Sequence, residues 1–163
     1  MSLAGSLIAR HGARLVCLAQ GGDLPVPLIT SARATGGDVL IVSDADTVVP
    51  AALGGVPIER HADTEARLRR VAALADLFVG LPGSLASAGE LYRAWVRAGA
   101  GASGKPVVLL NRNRAFEAMR GMAADVLSHS VKRQDRMVVF TDNGEDLWNK
   151  IAWALAETGH PVG

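Results

Sequence analysis

Ser87 and Glu90 stand three residues apart in the stretch Leu77-Phe78-Val79-Gly80-Leu81-Pro82-Gly83-Ser84-Leu85-Ala86-Ser87-Ala88-Gly89-Glu90. This stretch reads as a buried strand, a tight Pro-Gly turn and the start of a helix. A helix that opens directly after a parallel strand points its free N–H groups at the carboxyl edge of the sheet, which makes an anion site. Residues three apart on a helix share a face, so the Ser87 hydroxyl and the Glu90 carboxylate fall together in the first turn. A phosphate holder and an acid/base group in one turn suit an enzyme for phosphorylated sugars or nucleotides. The competing reading is ordinary helix capping by Ser84 or Ser87, with Glu90 as a favourable charge near a helix N-terminus.

Other polar residues are weaker candidates. Asp44 and Asp46 follow an apolar run, where a carboxylate can hold a ribose hydroxyl or a metal, but a solvated loop is the preferred reading. His61 and Asp63 precede a helical pattern that Asp63 or Thr64 would cap. Gly21-Gly22-Asp23 suits either a pocket mouth or a plain turn. His129, Lys132 and Arg133 read as a basic surface loop. No two histidines have ligand spacing, so no structural metal is expected. Cys17 lies within a strand-like run and reads as inert core.

These groups need a scaffold, and apolar runs supply one. Arg14–Leu18, Val39–Val42, Leu77–Leu81, Val107–Leu110 and Met137–Phe140 are five near-continuous candidates for strands covered on both faces. Helical patterns alternate with them: Leu3–Arg10, Leu24–Thr35, Thr64–Leu74, Ser87–Ala98, Ala115–Leu127 and Glu145–Ala156. The first ends at His11-Gly12 and the second at Gly36-Gly37, both C-cap signals. On the Thr64–Leu74 segment, Leu68, Val71, Ala72 and Ala75 share a face. Such alternation predicts an α/β fold: an open, mostly parallel sheet with helices on both faces, in three layers. The Trp148/Trp153 helix has enough apolar surface for core or interface.

With 163 residues, the chain suits one domain, and its net charge of +1 gives no long-range pull on nucleic acid or acidic membrane. Aromatics at 4% leave little for stacking single-stranded nucleic acid. One cysteine excludes an internal disulfide and fits a reducing cytoplasm. No apolar run spans a bilayer, and no signal-peptide pattern opens the chain.

Pro82-Gly83-Ser84-Leu85-Ala86-Ser87-Ala88-Gly89-Glu90 resembles the P-G-G-x-G-T-x-x-E motif of the LOG-type nucleoside-monophosphate phosphoribohydrolases, long labelled "lysine decarboxylase" proteins. The family also carries an Arg, usually followed by Lys, on the preceding helix. Counting back without gaps places Arg67 at that Arg and Leu68 at the Lys. Gly36–Val42 and Lys105–Asn111 are similar to the family's flanking strands. The resemblance runs from the first helix to about Ala156 and implies a Rossmann-like nucleotide-binding domain over residues 1–163. It implies a homodimer, no cofactor, and hydrolysis of the N-glycosidic bond of a nucleoside 5′-monophosphate to base and ribose 5-phosphate. Glu90 and Arg67 match the catalytic pair. Gly83, Ser84, Ala86 and Ser87 match the phosphate loop, and Gly21 and Gly22 stand where the family has another glycine-rich turn. The expected ligand is a small nucleotide or other phosphorylated molecule. No nucleic acid polymer, membrane or metal is expected as a partner.

The departures from the family carry weight. Ser84 and Ala86 replace two motif glycines, and Ser87 replaces the threonine while keeping its hydroxyl. A side chain at residue 86 costs on the order of 1 kcal/mol if that position needs a positive φ. The family's first strand, with its Gly-Ser-Ser turn, has no counterpart, so the chain is expected to begin at the helix after it. Read alone, Arg67 is one surface arginine on a helix that also holds Arg69 and Arg70. Its place one turn before Val71, at the rim of the apolar face, suits a side chain reaching into a cleft. Three classes of function stay open: a phosphoribohydrolase, a non-catalytic protein that binds a nucleotide or a molybdopterin-type cofactor, and, if no ligand is bound, a purely structural or interaction domain. The molybdenum-cofactor carrier proteins look similar and have comparable size.

Overall fold

The computed structural model describes residues 1–19, 22–84, 88–93, 104–129 and 138–159. The chain divides into two compact units, Met1–Leu74 and Ala75–Gly163.

The first unit runs α1 (Ser2–Arg10), β1 (Leu15–Leu18), α2 (Val26–Ala34), β2 (Val39–Ser43), a 3-10 turn at Ala51–Leu53, β3 (Ile58–Arg60) and α3 (Thr64–Leu74). Its strands pair in parallel in the order β1-β2-β3. Leu15 stands opposite Val39, and Ile41 opposite Ile58. Every residue of β2 is buried. Successive side chains of a strand point to opposite faces, so both faces of the middle strand are covered. α3 packs on β1 and β2, while α1 and α2 pack on each other. Gly5 sets that helix–helix spacing, because a Cβ there would collide with the Leu28 carbonyl oxygen and the Ser31 hydroxyl.

The strand β3 was not among the five expected from the sequence. It is short, it pairs only with β2, and two of its three residues are polar and half-buried or exposed. No apolar run announces such a strand. Its register matters, because pairing Ser43 with Arg60 carries Arg60 beside the loop that follows β2.

The second unit runs β4 (Phe78–Gly80), a helical stretch at 88–93 (α4), β5 (Val107–Leu110), a 3-10 turn at Arg112–Arg114, α5 (Glu117–His129), β6 (Val138–Thr141) and α6 (Leu147–Glu157). The strands are parallel in the order β4-β5-β6, with Phe78 opposite Val107 and Val107 opposite Val138. The middle strand β5 is again buried throughout. α6 lies on β5 and β6 and buries Leu147, Trp148, Ile151, Ala154 and Leu155. Trp148 is therefore core, whereas Trp153 is exposed.

After β5 the chain turns sharply. Asn111 is buried; its Oδ1 accepts the Phe116 N–H at 2.7 Å and its Nδ2 donates to Glu117 Oε2 at 2.9 Å. The turn places two non-glycine residues in the left-handed region, Asn113 at φ 56° and Arg114 at φ 61°. Each unit is thus a parallel sheet flanked by helices, the α/β Rossmann-like architecture expected from the alternating pattern. Of the expected helix Ser87–Ala98, residues 87 and 94–98 lie outside the described residues.

Candidate functional site

Ligands of parallel α/β sheets gather at the carboxyl ends of the strands. In the first unit, Ala19 follows β1 and Asp44 follows β2. Asp63 begins α3 there: its Oδ1 accepts the Ala66 N–H at 2.6 Å, as a helix cap does. The buried face of α3 consists of Arg67, Leu68, Val71 and Ala72. Arg67 is thereby drawn inward with the apolar residues and is only 7% exposed. The alternative of a surface arginine is excluded.

Burying a guanidinium requires partners for its N–H groups. Arg67 Nη1 donates to the Ala19 carbonyl at 2.9 Å and stands 3.4 Å from Asp44 Oδ2. Arg67 Nη2 donates to Thr64 Oγ1 at 2.9 Å. Nε is buried and has no hydrogen-bond partner among the described residues.

Asp44 does not behave as the solvated loop residue expected from the sequence. The Thr47 hydroxyl donates to its Oδ1 at 2.6 Å, and its Oδ2 faces Arg67. The Thr47 hydrogen bond, aided by the Arg67 charge, holds the Asp44 carboxyl below the usual aspartate range. The surrounding loop is also gripped from its backbone. Arg60 Nη1 reaches the carbonyls of Asp44 at 3.0 Å, Ala45 at 2.9 Å and Thr47 at 3.1 Å. Sequence reading missed Arg60 and the Ala19 carbonyl, and took Thr64 only as a candidate cap. Only the three-residue spacing of Thr64 and Arg67 was visible in advance as a shared helix face.

Beside this cluster, Arg70 grips Glu59 in a bidentate pair, Nε to Oε2 at 2.6 Å and Nη2 to Oε1 at 2.8 Å. That bond lowers the Glu59 pKa and raises that of Arg70. Cys17, in β1, is buried, and desolvation pushes its thiol up to about 12, as befits an inert core position.

In the second unit, β4 ends at Gly80, and Gly83 and Ser84 follow as exposed turn residues. Ala88 N–H donates to the Ser84 carbonyl at 3.1 Å, which marks the helical register. Glu90 lies in α4 with a side chain 22% exposed; its Oε1 stands 3.9 Å from Arg93 Nη1. Its Oε2 is buried with no hydrogen-bond partner among the described residues. A carboxylate oxygen in that state lacks the donor that buried acceptors usually have. Of the expected phosphate-loop residues, Ala86 and Ser87 lie outside the described residues, as does Gly21; Gly22 is an exposed turn residue with φ 84°. Among the described residues no group of three or more His, Cys, Asp or Glu side chains could hold a metal ion. No helix there is long and apolar enough to cross a membrane.

Comparison with known proteins adds to this geometry. No family model matches the chain. It is 31% identical over 118 residues to a cytokinin riboside 5′-monophosphate phosphoribohydrolase of Rhodococcoides fascians; the match takes in 71% of the chain and 60% of that relative's length. Among solved structures, the Moco carrier protein of Chlamydomonas reinhardtii superposes with a TM-score of 0.66 at 21% identity, over 96% of this chain and 85% of that one. The structural-genomics target TM1055 superposes with a TM-score of 0.64 at 20% identity, over 92% of this chain and 84% of that one. At such identities the two structures speak for the fold alone.

Proposed function

We propose that the chain, similar over 71% of its length to a cytokinin riboside 5′-monophosphate phosphoribohydrolase, is a diverged member of the LOG-type superfamily that binds a nucleoside 5′-monophosphate and hydrolyses its N-glycosidic bond. Water adds to the anomeric carbon as the C–N bond breaks. The bonding electron pair leaves with the base, which takes up a proton, and ribose 5-phosphate remains. The transition state resembles an oxocarbenium ion. Glu90 supplies the carboxylate that stabilises this positive charge or activates the water. Arg67 supplies a fixed guanidinium that orients the substrate or assists the departing base. Gly83, Ser84, Ala86 and Ser87, with Gly21 and Gly22, are assigned to the phosphate and nucleotide.

The observation that carries this reading is the buried Arg67 with an unused Nε–H. A buried donor without an acceptor costs about 1–3 kcal/mol, and an oxygen of the ligand would remove that cost. The reading treats residues 1–163 as one nucleotide-binding domain. It includes a homodimer, a cytoplasmic location and no cofactor.

The test is incubation of the protein with AMP, with free adenine and ribose 5-phosphate resolved by chromatography, beside Glu90→Gln. Release of adenine that the substitution abolishes supports the phosphoribohydrolase. Ser84 and Ala86 in place of motif glycines favour a second reading, a non-catalytic protein for a nucleotide or a molybdopterin-type cofactor. Thermal stabilisation by AMP without adenine release supports that one. Neither turnover nor stabilisation removes the nucleotide from both.

A further inference from the structure

Arg67 and Arg70, three residues apart on α3, use the same guanidinium edge differently. Arg70 places both Nε and Nη2 on one carboxylate, Glu59. Arg67 has its Nη1 committed to the Ala19 carbonyl and Asp44, and its Nη2 bonded to Thr64. Its Nε–H has no partner among the described residues, although the side chain is more than nine-tenths buried. A guanidinium carries five N–H donors in one plane, so fixing Nη1 fixes the direction of Nε–H.

The group that fixes Nη1 from the side-chain side is Asp44, and Asp44 is itself held at two points, its Oδ1 and its backbone carbonyl. Thr47 bonds its Oδ1 at 2.6 Å. Arg60 grips its backbone carbonyl and those of Ala45 and Thr47. Arg60 is in turn placed by the pairing of β3 with β2, opposite Ser43. The chain of contacts therefore runs from a strand ladder, through one arginine and one aspartate, to a second arginine.

We propose that Asp44, anchored by Thr47 and Arg60, is the positioning residue that sets the guanidinium plane of Arg67 and leaves its Nε–H directed at an oxygen of the bound nucleotide. The ligand part of this inference rests on the nucleotide reading above; the positioning part concerns Arg67 in the free protein.

The two parts separate in one set of NMR measurements on the full chain. Arginine side-chain ¹⁵N–¹H spectra are compared for the native protein, Asp44→Asn, Asp44→Ala and the control Asp46→Asn, whose side chain is exposed. Without ligand, Asp44→Asn is expected to speed Arg67 Nη rotation and Nε–H exchange by about tenfold, the equivalent of one charge-assisted hydrogen bond. Backbone spectra should stay native-like, and Asp46→Asn should leave Arg67 unchanged. Unaltered Arg67 dynamics in a folded Asp44→Asn protein would overturn the positioning role, and Asp44→Asn keeps the test open if Asp44→Ala fails to fold.

AMP is then titrated into the same samples. The native Arg67 Nε–H resonance is expected to shift with AMP, and the midpoint to weaken about tenfold in Asp44→Asn. If AMP leaves that resonance unmoved in the native protein, the ligand part is overturned, while the ligand-free comparison still decides the role of Asp44.

Discussion

Leu91 occupies the space beside Gly80 that a side chain would need: a Cβ at residue 80 would lie 2.6 Å from Leu91 Cδ2 and would also overlap Leu109. The end of β4 and the helical stretch at 88–93 thus meet across a bare backbone. Glu90 is the residue before Leu91, so this contact also fixes the height of Glu90 above the strand end. Gly80→Ala is expected to overpack the contact, at a cost of about 1–3 kcal/mol. Urea unfolding measures the loss, and AMP turnover is expected to fall with it because Leu91 must move outward.

Arg67→Lys keeps a positive charge but not the planar fork. A single ammonium nitrogen cannot reproduce the separate bonds to the Ala19 carbonyl and the Thr64 hydroxyl. The substitution leaves at least one buried acceptor unpaired, for an expected loss of about 1–3 kcal/mol. Chemical denaturation of the two proteins side by side checks this, and equal stability would deny the guanidinium its structural role.

Acid sensitivity follows from Asp44 and Glu59. Both carboxyls sit below their ordinary values of 3.8 and 4.5, Asp44 chiefly through Thr47 and Glu59 chiefly through Arg70. A carboxylate with a lowered folded pKa adds stability above its unfolded pKa and loses it as pH falls through the folded one. The thermal midpoint is therefore expected to drop as pH passes below the ordinary carboxylate range. In the Asp44→Asn, Glu59→Gln double variant that dependence should be flatter, which a series of melts from neutral to acid pH would reveal.

Arg114→Gly is expected to stabilise the protein. Arg114 has φ 61° and Asn113 φ 56°. The left-handed region costs an ordinary L-residue about 1–2 kcal/mol, and the extra freedom of glycine in the unfolded chain returns part of the gain. A net increase of about 1 kcal/mol or less in unfolding free energy is the expected result, while a decrease would mean that the Arg114 side chain itself holds the turn.

What the sequence disclosed depended on how each residue earns its place. The strands β2 and β5 are buried on both faces, so their apolar runs were plain. Asp63 was legible as a cap, and Arg67 as a residue at the rim of an apolar face. β3 was not legible, since Ile58-Glu59-Arg60 has neither an apolar run nor a usable period. With β3 went Arg60, whose contacts with residues 44–47 span 13 to 16 positions along the chain. Asp44 looked like a solvated loop residue because nothing local shows that a buried arginine 23 positions later will face it.

The grip of Arg60 on the carbonyls of Asp44, Ala45 and Thr47 also bears on how quickly a ligand could be taken up. The loop's conformational entropy is surrendered when the chain folds, not when a ligand arrives. Capture at this edge would then be a one-step encounter, with an observed rate rising in proportion to ligand concentration and no plateau set by a closing motion.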